Sequence, residues 1–194
     1  MMRKGFTLVE LLIVIALLGV IALVVIAAIN PIEQANRARD TRFKTDGAQL
    51  ISAIDRYFAA NNEFPWVTAD IVASNDAAFG FVSAGTLGVG LCGTDCSIDG
   101  ALITSDELKN EFRNRDFVDA DTADKQLFIG KGSGTSESIY ACYVPAAKAN
   151  RDKSIADGKV YTIDLVNGTR EPTTACNIEG VDWVEFGCYV CIPE

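Results

Sequence analysis

From residue 6 to residue 29 the chain is apolar almost without interruption, and Glu10 is the one charge inside the run. Residues 11–29 are 19 positions without a charge. At about 1.5 Å per residue, such a helix nearly spans a hydrocarbon layer of about 30 Å. The pattern predicts a transmembrane-type helix over 6–30. Gly19 is a weak point within it. Asn30-Pro31 should end it, since Pro31 offers no N–H to the carbonyl of Ala27. Gly19 and Pro31 are thus the expected helix breaks.

After Pro31 the pattern becomes amphipathic. Phe43, Gly47, Leu50, Ile54 and Tyr57 recur at 4-3-4-3 spacing, which marks one apolar face of a stem helix over 31–60. Asp46, Gln49, Asp55 and Arg56 fall on the opposite face. Asn61-Asn62 and Phe64-Pro65 supply the stop.

Residues 61–126 read as a variable loop region, rich in Gly and Ala. Within it Phe79-Gly80-Phe81 and the glycines at 85, 88 and 90 suggest turns. Thr104 and Glu107 form a capping-box pattern that predicts a short helix over 105–115. Residues 127–194 carry strand signals at 127–129, 138–144 and 159–166. The last two read as an antiparallel hairpin across a polar loop at 149–157. A Cys-rich C-terminal segment adds one more extended stretch over 182–192. The expected fold class is α+β, a long N-terminal helix packed against a small antiparallel sheet.

Charge is divided unevenly. The chain has a formal net charge of −9. Residues 45–194 hold 11 Lys/Arg against 23 Asp/Glu, which gives −12. A head this acidic does not bind nucleic acid over its general surface. Residues 32–44 hold Arg37, Arg39, Arg42 and Lys44 against Glu33 and Asp40, which gives +2. This basic stretch suits a solvated face, anionic lipid headgroups, or acidic groups on neighbouring stems and heads. DNA is a further partner for it, one the acidic head does not support.

Six cysteines stand at 92, 96, 142, 176, 188 and 191, and histidine is absent. An even count behind a hydrophobic segment points to disulfides formed in an oxidising compartment. Cys92, Cys96, Cys142, Cys176, Cys188 and Cys191 allow 15 connectivities. Cys92/Cys96 and Cys188/Cys191 also have the spacing of zinc half-sites. Without histidine, the usual Ser-His and His-zinc hydrolytic arrangements are excluded. The stretch from Gly130 to Thr135 lacks the first glycine of a phosphate loop. Asp116, Asp119, Asp121 and Asp124 are weak calcium candidates without the EF-hand glycine and terminal glutamate, and a solvated acidic turn is the default. Asn167-Gly168-Thr169 is a sequon, and Asn-Gly is equally a turn dipeptide, the reading preferred here. No catalytic residue and no cofactor is expected.

The apolar run is longer than a cleaved secretory signal core of about 7–15 residues. An ordinary membrane anchor fits its length but leaves Glu10 unexplained, and the basic residues on both sides give no clear orientation. Lys4-Gly5-Phe6-Thr7-Leu8-Val9-Glu10, followed by Leu11-Leu12-Ile13-Val14-Ile15, resembles the class III signal of type IV pilins and type II secretion pseudopilins. The resemblance covers about 25 residues at the chain start. It implies a leader of residues 1–5, cut after Gly5 by a prepilin peptidase, and N-methylation of the new terminal Phe6. It also implies that Glu10 pairs with the Phe6 amine of a neighbouring subunit, since opposite buried charges are tolerable only together. Snorkelling of Glu10 to the headgroups is the plain alternative.

A structural, non-enzymatic role in a type IV pilus follows from the resemblance, serving adhesion, motility or DNA uptake. Its partners would be membrane lipids before assembly, an inner-membrane assembly platform, and identical or related subunits in a filament. The precursor would cross the inner membrane once with its head outside, and the product would be extracellular. The alternatives are a type II secretion pseudopilin and a membrane-anchored binding domain that never polymerises.

Overall fold

The computed structural model describes residues 5–28, 30–178 and 180–193. The chain divides into two units at Ala35/Asn36.

The N-terminal unit contains helix α1, Leu8–Ala28, and the first turn of α2, Pro31–Asn61. The α1 helix runs through Gly19 without a break, contrary to expectation. One glycine costs a helix about 1 kcal/mol relative to alanine, too little to interrupt 21 residues of otherwise helical chain. Asn30 starts α2: its Oδ1 accepts the Glu33 N–H at 3.2 Å, and its carbonyl accepts from Gln34. Pro31 is then the first helical residue, where a missing N–H removes no intrahelical bond.

The second unit is an α+β head built on the remainder of α2. In chain order there follow α3 (Pro65–Thr68), β1 (Phe79–Ser83), α4 (Ala101–Thr104), β2 (Leu127–Lys131), β3 (Ile139–Tyr143), α5 (Lys148–Ala156), β4 (Tyr161–Ile163), β5 (Arg170–Pro172) and β6 (Val190–Ile192). Short 3-10 turns occupy Asn110–Asn114 and Ala123–Lys125. The main sheet has the order β1-β2-β3-β6, antiparallel throughout, and β4-β5 form a separate pair.

Both faces of the main sheet are covered. Leu127, Ile129 and Ala141 point into a core with Phe43, Leu50, Ile54 and Tyr57 of α2. Their neighbours Phe128 and Cys142 face a second core with Val160, Trp183 and Tyr189. Successive strand residues alternate faces, so a two-sided sheet reads as a continuous apolar run. At Gly47 the stem comes so close that an added Cβ would lie 3.1 Å from Ala141 Cβ and 3.3 Å from Ile192 Cδ1.

Besides Gly19, the head departs from the expected pattern in four places. Phe79-Gly80-Phe81 is strand, not turn. Both phenylalanines are buried, and a Cβ on Gly80 would lie 2.1 Å from the Leu165 carbonyl oxygen. The glycine permits close approach and does not mark a loop.

The helix expected over 105–115 is reduced to the 3-10 turn Asn110–Asn114. Thr104 closes α4 and donates its hydroxyl to the Gly100 carbonyl, while Glu107 receives Arg56 at 2.7 Å. Asp106 sits at φ 60°, a left-handed conformation that stops a helix.

The 138–144/159–166 hairpin does not form. Its presumed loop contains α5, so β3 pairs with β2 and β6 instead. The Asn167-Gly168 turn, with Gly168 at φ 63°, folds β4 onto β5.

Asp46 and Arg39 are not on an open polar face. Asp46 is buried and 3.6 Å from Arg115, and half-buried Arg39 donates to the Val144 carbonyl at 2.9 Å.

Candidate functional site

Gly5, Phe6 and Thr7 precede α1 in non-helical chain, and Phe6 is 79% exposed. The Gly5–Phe6 bond is therefore presented outside regular structure. Residues 1–4 of the leader, including Arg3 and Lys4, lie outside the described residues.

Thr7 and Glu10 close a reciprocal capping box at the start of α1. Glu10 Oε2 accepts the Thr7 backbone N–H at 2.9 Å and the Thr7 hydroxyl at 2.8 Å. The Glu10 N–H in turn reaches Thr7 Oγ1 at 3.2 Å. Orphan donors of the first helical turn are thereby satisfied, and a carboxylate stands at the positive end of the helix dipole. This partnership was legible in the sequence as Thr-x-x-Glu before an apolar run.

The side chains of α1 that are described are all exposed, on every face, from Leu8 to Ile26. That stretch is long and apolar enough to cross a membrane. A helix apolar all round needs lipid or other apolar helices against it.

In the head, all six cysteines are paired: Cys92–Cys96, Cys142–Cys191 and Cys176–Cys188. Cys142 and Cys191 are directly opposed residues of β3 and β6, so that bridge fastens a three-residue terminal strand to the sheet. Cys176–Cys188 closes the preceding loop. With the thiols consumed, the zinc half-sites do not exist.

Asp116, Asp119, Asp121 and Asp124 do not converge. Among the described residues no three His, Cys, Asp or Glu side chains are placed to hold a metal ion.

Besides Asp46, two further buried charges have no counterpart in the sequence pattern. Asp40, 1% exposed, accepts the backbone N–H groups of Ala146 and Ala147 and the Asn150 amide at 2.8–3.0 Å. It fastens the start of α5 to the stem. Lys131, fully buried, donates Nζ to the carbonyls of Asn75, Gly132 and Gly134 and lies 5.3 Å from the Phe64 ring centre. Burial pushes its pKa down, while Asp76 and Glu137 oppose that. The glycine-rich stretch after β2 thus wraps an internal ammonium, which explains its composition without a phosphate ligand.

Residues 1–26 match the family described as the prokaryotic N-terminal methylation motif. The chain matches no curated protein and no solved structure. The exposed Gly5–Phe6 bond, the capped Glu10 and the α1 helix, apolar apart from Glu10, all fall within this match, so the N-terminal segment of the chain carries the prokaryotic N-terminal methylation motif, the class III signal found in type IV pilins.

Proposed function

We propose that the chain is the precursor of a type IV pilus subunit, cleaved after Gly5, methylated at Phe6 and polymerised through α1. The observation that carries this reading is the coincidence of the methylation motif with a helix whose described side chains are all exposed. Before assembly α1 is held in lipid. After assembly the α1 helices of neighbouring subunits replace that lipid, and each Glu10 neutralises the Phe6 amine of a neighbour. The head then forms the outer surface, with its three disulfides suited to an oxidising exterior. The role is structural. Its partners are a prepilin peptidase, an assembly platform in the inner membrane, and further copies of the chain.

Isolation of surface filaments from cells expressing the chain tests this. The chain is expected as the main subunit. Processed chain found only in membranes, with secretion lost on its deletion, would favour the pseudopilin alternative. An unprocessed chain would contradict both.

A further inference from the structure

The Cys176–Cys188 loop presents Ile178, Val184 and Phe186 at 71, 38 and 51% exposure. Asp182 and Glu185 are exposed beside them, and the sequence over 176–188 holds three acidic residues and no Lys or Arg. Large apolar side chains rimmed by charge mark an interaction surface.

A surface of the opposite character lies on the stem. The outward side of α2 forms an open groove of about 600 Å³. Thr45, Ala48 and Ser52 keep it shallow, Leu108 gives it an apolar flank, Lys44 stands toward its N-terminal end, and Arg56, held by Glu107, toward its C-terminal end. Arg37 and Arg42 add exposed positive charge on the N-terminal side.

We infer that the Cys176–Cys188 loop of one copy docks into this stem groove of a second copy. The inference rests on the polymerisation reading above. Apolar Phe186 and Val184 meet the small side chains and Leu108, and Glu185 and Asp182 face Lys44 and its basic neighbours. Complementary charge sets the register of such a contact and disfavours wrong partners. The two surfaces belong to different parts of the chain. The contact is therefore heterologous, and its repetition in one direction extends into an open polymer.

The test uses the full chain in filament-forming cells. A benzophenone amino acid replaces Phe186, and cross-linked peptides from isolated filaments are mapped. A cross-link to residues 44–56 of another copy is the expected result. Lys44→Glu and Glu185→Lys are each expected to lower filament yield about tenfold, and the two together to restore it to within about twofold, as like charges become opposite again. Three intact disulfides and normal leader cleavage in each variant establish that the head folds.

Filaments with no cross-link to 44–56, or single variants that assemble normally, would overturn the docking while leaving polymerisation standing. Unaltered chain that is processed and forms no filament would overturn polymerisation, and the docking with it.

Discussion

Thr7 and Glu10 bond to each other in both directions. The carboxylate takes two donors from Thr7, and the Thr7 hydroxyl takes the Glu10 N–H. In the single chain Glu10 is a helix cap, and its charge needs no snorkelling to be satisfied. The second role proposed for it, neutralising a neighbour's amine, would begin only once Gly5–Phe6 is cut.

These two roles are separable. Glutamine at N3 still completes a capping box but carries no charge. Glu10→Gln is expected to keep α1 helical in lipid and yet abolish filaments, whereas Thr7→Ala costs the helix start about 1 kcal/mol and leaves filaments in reduced amount. Circular dichroism in vesicles together with filament yield checks both. Normal assembly of Glu10→Gln would show that capping is the whole role of Glu10.

The disulfides should differ in weight. Their sequence separations are 49 for Cys142–Cys191, 12 for Cys176–Cys188 and 4 for Cys92–Cys96. Loop-closure entropy then gives about 4, 3 and 2 kcal/mol respectively. Replacing each pair by alanine and measuring denaturant midpoints in detergent is expected to reproduce that order.

Gly47 permits close approach of the stem to β3. Gly47→Leu forces its side chain against Ala141 and Ile192 and is expected to cost about 1–3 kcal/mol, as overpacking does. Gly19→Leu, in α1 with nothing within 4 Å of the added Cβ, should leave head stability unchanged. Thermal unfolding followed by near-ultraviolet dichroism distinguishes them.

Acid should loosen the head through Asp76. The Thr135 hydroxyl, then its backbone N–H, and the charge of Lys131 hold the Asp76 carboxyl below the usual range. Asp164 is held low in the same way, first by the Asn167 backbone and side chain, then by Val166. A lowered folded pKa stabilises the fold fully above the unfolded value of about 3.9, and the contribution fades as pH falls through the folded one. Asp46 runs the other way. Burial raises its pKa against Arg115 and Arg42, so its contribution is greatest in acid and declines as pH rises through its folded pKa. Asp76→Asn is therefore expected to flatten the loss of stability below about pH 4 in denaturant titrations.

The segments that could be read from sequence were those whose pattern has one physical meaning. The apolar run and the 4-3-4-3 face around Leu50 each admit only a helix, and both are helices. Thr-x-x-Glu shows the limit of a local pattern. At 104–107 it makes no box, because Arg56, 51 residues away along the chain, takes Glu107. At Thr7 and Glu10 nothing competes, and the box closes. The strand pairing was obscured for a similar reason. α5 begins on Asp40, a residue 107 positions from Ala147, and no local signal announces such a partner. The burial of Lys131 gave no signal, because its acceptors are backbone carbonyls, which leave no trace in residue identity.

The most direct test of the account is the mass of the mature N-terminus, taken from membranes and from filaments. The chain is expected to begin at Phe6 and to carry one added methyl group on its amine. An intact Met1, or a cut at any bond other than Gly5–Phe6, would contradict it.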